Sequence, residues 1–343
     1  MRAATLRRHG GPEVIEIEDL PTPEPGPSQV LVKVEAVALN HLDLWVRRGL
    51  PNLKLHYPHI LGSDIAGEVA ALGPGAVGTV GQKVIVSPAV SCGRCRECAS
   101  GRDNLCREYA ILGEHVSGGC CEYLAVPMAN VIQRPANLDA AQAAAFPLTM
   151  LTAWQMLAGK ARVQPGETVL VLGAASGVGT AAVQIAKLFG ARVIATATSD
   201  DKLARARALG ADETINTEKE DLVEAARRLT GKRGVDVVVE HVGKVLFAKA
   251  IQSCAKGARL VTCGATTGFD PTIDLRHVFF KQLSILGSTM GSKGDLHDVV
   301  AHVAAGRLKP VVDRVLPMSQ IREAHALLED RGQFGKIVLS VSS

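Results

Sequence analysis

The stretch ETVLVLGAASGVGTAAVQIAKLFG, residues 167–190, decides how this chain folds. Its opening, ETVLVLGA, is a short apolar run of the kind that forms a buried parallel strand. Its close, SGVGTAAVQIAKLFG, reads as a helix. Between them the turn Gly173-Ala-Ala-Ser-Gly-Val-Gly179 is made of small residues. Such a turn lets the backbone approach a pyrophosphate at a helix N-terminus, where free N–H groups and the dipole favour anions. A turn that merely packs helix on strand is the alternative. The strand–turn–helix context favours anion binding. Gly173, Ala174, Ser176, Gly177, Val178 and Gly179 are therefore the candidate phosphate-binding residues. The turn departs from strict G-x-G-x-x-G, because Ala174 and Ser176 stand where the first two glycines would be.

Outward from this turn the pattern repeats. Strand ARVIATAT, helices DDKLARARALGA and EDLVEAARRLTG, strand VDVVVEHV, helix LFAKAIQSCAKG, and strands ARLVTCGA and QLSILGST follow in order. Repeated βα units predict an α/β fold with a doubly wound parallel sheet. Up to about residue 135 the texture differs, with turn-punctuated strands such as QVLVKVEAVAL, DIAGEVAALG, QKVIVSPAV and CEYLAVP. After Gly291 a helix, a strand, the helix QIREAHALLEDR and the strand GKIVLSV are expected to pack back on this N-terminal part.

An NAD site places an acid about twenty residues beyond the turn, at the end of the second strand, to bind the ribose hydroxyls. Ala197 holds that place, followed by Thr198, Ser199 and Lys202. Without the acid nothing repels a 2′-phosphate, and hydroxyls with an ammonium are at hand to bind one. Asp200 and Asp201 cut the other way unless, as N-cap residues, they point elsewhere. NADP(H) is expected over NAD(H).

Nearly half of the 343 residues are apolar and the formal charge is +4. This is a globular composition with room for two domains, and so small a charge implies neither a nucleic-acid nor a membrane partner. The uncharged run AAQAAAFPLTMLTAWQMLA, residues 140–158, contains Pro147, two Gln and two Thr, and reads as buried helix rather than membrane span. The N-terminus lacks the apolar core of a signal peptide. With eight cysteines not arranged as a disulfide scaffold, a cytoplasmic location is expected.

Four of those cysteines, Cys92, Cys95, Cys98 and Cys106, form C-x2-C-x2-C-x7-C. Four thiolates saturate tetrahedral zinc and leave no open position for a substrate. A redox or disulfide cluster is the competing reading.

Together with NHLDLWVRRG (40–49), LGSDIAGEV (61–69), LTAWQML (151–157), AASGVG (174–179) and GKIVL (335–339), these residues resemble the medium-chain dehydrogenase/reductase superfamily of zinc alcohol dehydrogenases and quinone oxidoreductases. The likeness covers essentially the whole chain. It implies a β-rich GroES-like catalytic domain from residues 1–149, completed by 289–343, and a Rossmann domain over 150–288, with the active site in the cleft. It also implies a structural zinc on the four cysteines, and a homodimer or homotetramer paired near LSILGSTMG.

Zinc alcohol dehydrogenases of that superfamily carry a second, catalytic zinc, and here its motifs have changed. C-x-[ST]-D becomes Asn40-His41-Leu42-Asp43, and Leu42 replaces the proton-relaying hydroxyl. G-H-E becomes Gly62-Ser63-Asp64, and Leu148 replaces the third ligand. The resemblance thus implies one structural zinc, no catalytic zinc, and hydride transfer from NADPH to quinones, enones or related carbonyls. Asn40 would donate to the substrate oxygen, Asp43 would orient its neighbours, and Thr152 would border the nicotinamide. The competing reading of Asn40 and Asp43 is that they satisfy backbone groups at a strand end. Two other functions stay open: a zinc alcohol dehydrogenase with an unusual ligand set (Asp43, Asp64 or His41), and a nucleotide binder without turnover. Cys120 and Cys121 would point to opposite faces of a strand, and His241 falls near the cofactor edge of the sheet or serves packing.

Overall fold

The computed structural model describes residues 1–51 and 53–341. The chain divides into two compact units, one formed by Met1–Leu148 together with the chain from Ser292 onward, the other by Thr149–Gly291.

The second unit is built on parallel strands in the spatial order Glu213–Asn216, Arg192–Ala197, Thr168–Val171, Val235–Glu240, Cys254–Thr262, Ser284–Gly287. Thr168–Val171 is buried along its length, as a strand covered on both faces must be. The strand order reverses between Thr168–Val171 and Val235–Glu240, the switch point at which such sheets bind ligands beyond the strands' carboxyl ends. Helices Gly177–Leu188, Asp200–Ala208, Leu222–Leu229 and Phe247–Ser253 connect the strands. The α/β class and doubly wound sheet are as expected.

Three local expectations are corrected. The strand Glu213–Asn216 lies between the two helices, where the sequence pattern places no strand; ETIN is short and three of its four residues are polar, so it carries no strand signal. The helix expected to run through LFAKAIQSCAKG stops at Ser253, and Cys254 already begins the next strand. Asp200 and Asp201 are not the N-cap of their helix. Ser199 is, its hydroxyl accepting from the Lys202 N–H, while Asp200 occupies the first turn.

In the first unit the strands run in the order Val131–Gln133, Lys83–Val86, Asp64–Leu72, Gln29–Ala38, Lys336–Ser340, Val312–Pro317, with Tyr123–Pro127 also paired to Gln29–Ala38. The C-terminal strand thus joins the N-terminal sheet, Val338 opposite Ala38 and Ser340 opposite Ala36. An apolar cluster including Val32, Val37, Leu44, Ile65, Val84, Leu124 and Leu339 fills the interior. The segment 140–161 forms helices Ala140–Ala144 and Pro147–Trp154 and then a π-helical stretch, Gln155–Ala161. Among the described residues no helix is long and apolar enough to cross a membrane.

Candidate active site

The strand Gln29–Ala38 runs out at Leu39, and Asn40 caps the helix His41–Arg48. The pair Asn40 and Asp43 therefore forms a helix capping box rather than a strand end. Asn40 N–H donates to Asp43 Oδ2 at 2.7 Å, and Gly62 N–H donates to Asp43 Oδ1 at 3.0 Å. Both carboxylate oxygens of Asp43 thus serve backbone groups. Burial pushes its carboxyl up to about 6, against the opposing pull of those N–H groups and of Lys336.

Asp64 opens the neighbouring strand and is completely buried. Its Oδ1 accepts from Leu148 N–H at 2.7 Å; its Oδ2 accepts from Asn40 Nδ2 and from Lys336 Nζ, each at 2.9 Å. Lys336 also donates to Asn40 Oδ1. The remaining Asn40 amide proton is directed at Ala38 O, at a long 3.4 Å. Asn40, Asp64 and Lys336 thus close a buried ring joining three chain segments, with Asp43 fixing the backbone beneath it.

This donor set does not fit a second zinc. Leu148 has no donor atom, every carboxylate oxygen of Asp43 and Asp64 holds an N–H, and an ammonium occupies the ring. His41 packs edge-on against Trp45, with ring centroids 5.0 Å apart. Burial, then Arg331 and Arg48, pulls its imidazole down to about 4. Ser63 Oγ is buried and, among the described residues, has no hydrogen-bond partner.

The turn after Thr168–Val171 fits a dinucleotide. Ser176 caps the helix Gly177–Leu188, accepting from Gly179 N–H at 2.9 Å, and the N–H groups of Gly177 and Val178 belong to the first turn, which has no intrahelical acceptor for them. Gly179 has to be glycine: a Cβ there would sit 2.3 Å from Gly173 O. Gly173 adopts φ +57°. His241, just past Val235–Glu240, lies 2.9 Å through Nε2 from Ser176 Oγ and so belongs to this turn. At the end of the second strand, Ala197 is buried, Thr198 and Ser199 follow, and the Asp200 carboxylate is engaged by Asn216 and Lys219. Thr152, on the helix Pro147–Trp154, is buried with its hydroxyl 3.8 Å from Met290 Sδ.

Cys92, Cys95, Cys98 and Cys106 place their sulfurs within 4.8 Å of one another. Sulfurs bound to one tetrahedral zinc at about 2.3 Å stand about 3.8 Å apart. The observed 3.5 Å (Cys95–Cys98), 3.5 Å (Cys92–Cys106) and 3.9 Å (Cys92–Cys98) match that spacing and are far too long for disulfides. Backbone N–H groups of Arg94 and Cys95 pull the Cys92 thiol down to about 6, toward the thiolate a metal needs. Among the described residues no other group of His, Cys, Asp or Glu is arranged to hold a metal. Cys120 and Cys121 lie in the core, where burial raises both thiols.

A family model described as zinc-binding dehydrogenase matches residues 177–305, and one described as alcohol dehydrogenase GroES-like domain matches residues 26–136. An NAD-dependent alcohol dehydrogenase of Sulfurisphaera tokodaii is 31% identical, the match covering 99% of each chain. The quinone oxidoreductase of Homo sapiens is 30% identical, over 99% of this chain and 97% of its own. A solved structure of an NAD-dependent alcohol dehydrogenase is 54% identical over all of both chains, with a TM-score of 0.97. The chain belongs to the medium-chain dehydrogenase/reductase superfamily.

It is accordingly a nicotinamide-dependent oxidoreductase, and its cysteine quartet has the make-up of a zinc site. Within this superfamily member, Lys336 is the residue that sequence reasoning missed. Its signal was faint but present: a lysine heading an otherwise apolar strand, KIVL, that is buried throughout. Only the register with Gln29–Ala38, which continues as Leu39 N–H to Ile337 O, brings Lys336 to Asn40.

Proposed function

We propose that this dehydrogenase is an NADPH-dependent reductase of quinones, enones or related carbonyls that carries one zinc, on its cysteine quartet, and works without a catalytic metal. The observation that carries the reading is the closed ring of Asn40, Asp64 and Lys336, which engages the amide at one of the three expected ligand positions, the other two being held by Ser63 and Leu148. Bound NADPH supplies the hydride. The chain's own residues would stabilise negative charge arriving on the substrate oxygen, and solvent would return the proton.

Asn40 is suited to that task. Its carbonyl oxygen accepts from the Lys336 ammonium, which polarises the amide and strengthens its N–H groups as donors. One N–H is committed to Asp64; the other, 3.4 Å from Ala38 O, is held weakly enough to turn to a substrate oxygen. Asp43 fixes the Asn40 backbone and is a positioning residue. Thr152 would border the nicotinamide, and the turn Gly173–Gly179 would hold the pyrophosphate.

The preference for NADPH rests on Ala197 in place of an acid, with Thr198, Ser199 and Lys202 beside it and Asp200 drawn toward Lys219. The 54% identical structure is of an NAD-dependent enzyme, so the preference has its own test among the predictions below. All eight cysteines are free, which supports a reducing, cytoplasmic setting. The edge strand Ser284–Gly287, with Ile285 exposed, and Phe279 and Phe280 exposed on the preceding helix support pairing of two copies.

The test is a panel of quinones, enones, aldehydes and primary alcohols assayed with each cofactor on metal-counted protein. Reduction of the conjugated electrophiles with one zinc per chain supports the reading. Efficient alcohol oxidation that depends on a second metal rejects it.

A further inference from the structure

The histidine that meets the phosphate turn is aimed at it by the strand end that carries it. Strand Val235–Glu240 finishes on a carboxylate that is completely buried. Glu240 Oε1 accepts from Val242 N–H at 2.7 Å and from Gly243 N–H at 2.6 Å, while Oε2 accepts from the Thr262 hydroxyl at 3.0 Å. Thr267 holds the same loop from another side. Its N–H donates to Val242 O at 2.8 Å and its hydroxyl to the same oxygen at 2.6 Å. His241 lies between Glu240 and Val242, so its backbone is clamped, and its side chain is buried at 8% exposure.

That side chain reaches the turn Gly173–Gly179 within the same unit. A Cβ on Gly173 would stand 3.1 Å from His241 Nε2, so glycine there is what lets the imidazole come close. Gly173 is itself tied to the adjacent strand, its N–H donating to Thr196 Oγ1 at 3.2 Å. His241 Nε2 then meets Ser176 Oγ at 2.9 Å.

A serine hydroxyl has two acceptor sites and one proton to give. Gly179 N–H fills one acceptor site at 2.9 Å. An unprotonated Nε2 would take the hydroxyl proton and leave Ser176 with only a lone pair to face an anion. A protonated Nε2 fills the second acceptor site instead, and the O–H is left to donate at the helix start. An anion in the turn favours the second arrangement, because it attracts a donor and repels a lone pair.

We propose that His241 is a positioning residue for the cofactor's pyrophosphate: its Nε2–H holds the Ser176 oxygen so that the hydroxyl proton is given to a phosphate oxygen. The inference rests on the reading that the turn Gly173–Gly179 holds the pyrophosphate. It is independent of the substrate and of the preference between NADPH and NADH, which share that group.

Binding is measured on the full-length protein by fluorescence titration with NADPH and NADH, and by displacement with ADP-ribose, which has the pyrophosphate but no nicotinamide. His241→Leu should raise Kd for all three by about tenfold, as loss of one hydrogen bond to a charged group does. His241→Gln, which keeps an N–H donor near the place of Nε2, should stay within about threefold of wild type. Ser176→Ala should cost about tenfold alone, and His241→Leu less than about twofold more in that background. In the wild type with ADP-ribose bound, NMR of the histidine ring nitrogens should show a proton on His241 Nε2, a readout that does not depend on how the leucine variant folds. An unprotonated Nε2 overturns the proposal, as do additive losses or a glutamine variant as weak as the leucine one. Ser176→Ala without effect rejects the proposal and the pyrophosphate site together. Weakening by Ser176→Ala but not by His241→Leu rejects the role of His241 alone.

Discussion

Lys336 Nζ and Asp64 Oδ2 lie 2.9 Å apart in side chains that are 4% and 0% exposed, joining strands that are 272 residues apart in the chain. So deeply buried an ion pair persists only because each partner has further hydrogen bonds: Asp64 to Leu148 N–H and Asn40, Lys336 to Asn40 Oδ1. Removing one member leaves the other charge uncompensated. Lys336→Met should therefore cost about 3–5 kcal/mol in denaturant unfolding. Adding Asp64→Asn should recover at least about 1 kcal/mol relative to the sum of the single changes. Strict additivity would show that the pair is not coupled.

Asp43 gives a pH signature of definite sign. Its folded carboxyl titrates near 6, above the 3.8 of an unperturbed aspartate, so between these values the folded state binds more protons than the unfolded state. Stability from this group is full below about pH 4 and declines as pH rises toward and through 6, by on the order of 3 kcal/mol. Other acids titrate in the same range, so the comparison is with Asp43→Asn. The stability difference, wild type minus variant, should shrink as pH climbs from 4 to 7. A difference independent of pH would show that Asp43 is not destabilised by its burial.

The ribose end of the cofactor site is tested at the last residue of Arg192–Ala197. Ala197→Asp puts a carboxylate where a 2′-phosphate would lie and where ribose hydroxyls would donate to it. The NADPH-to-NADH ratio of kcat/KM should fall by about tenfold or more, equivalent to at least about 1.4 kcal/mol. An unchanged ratio would mean that the ribose is bound elsewhere.

Cys95→Ala removes one of four thiolates and should release the zinc, lower the melting temperature and leave the folded protein with at least about a tenth of its hydride-transfer rate. A loss of a thousandfold or more with cofactor binding intact would assign the metal a chemical role.

The sheet was legible because its signals are local. Residues 167–190 carry strand, turn and helix in one unbroken stretch, and the cysteine spacing specifies a tetrahedral donor set without reference to anything else. The ring around Asp64 was not legible. Its members come from residues 40, 64 and 336, and they meet through sheet register, which single-chain periodicity does not encode. N-x-x-D at 40–43 is expected from the sequence either to serve the substrate or to end a strand; the turn of the chain at Leu39 makes it a helix cap. The strand Glu213–Asn216 was missed for the opposite reason. Its neighbours in the sheet, rather than its own side chains, make it a strand.

Everything turns on whether hydride transfer here proceeds beside an ammonium–carboxylate ring or a metal ion. Zinc per chain, measured on freshly purified enzyme of known specific activity, tests this most directly. The expected value is one, with Cys95→Ala containing none. Two per chain in the wild type, with one surviving in Cys95→Ala and required for turnover, would contradict the account.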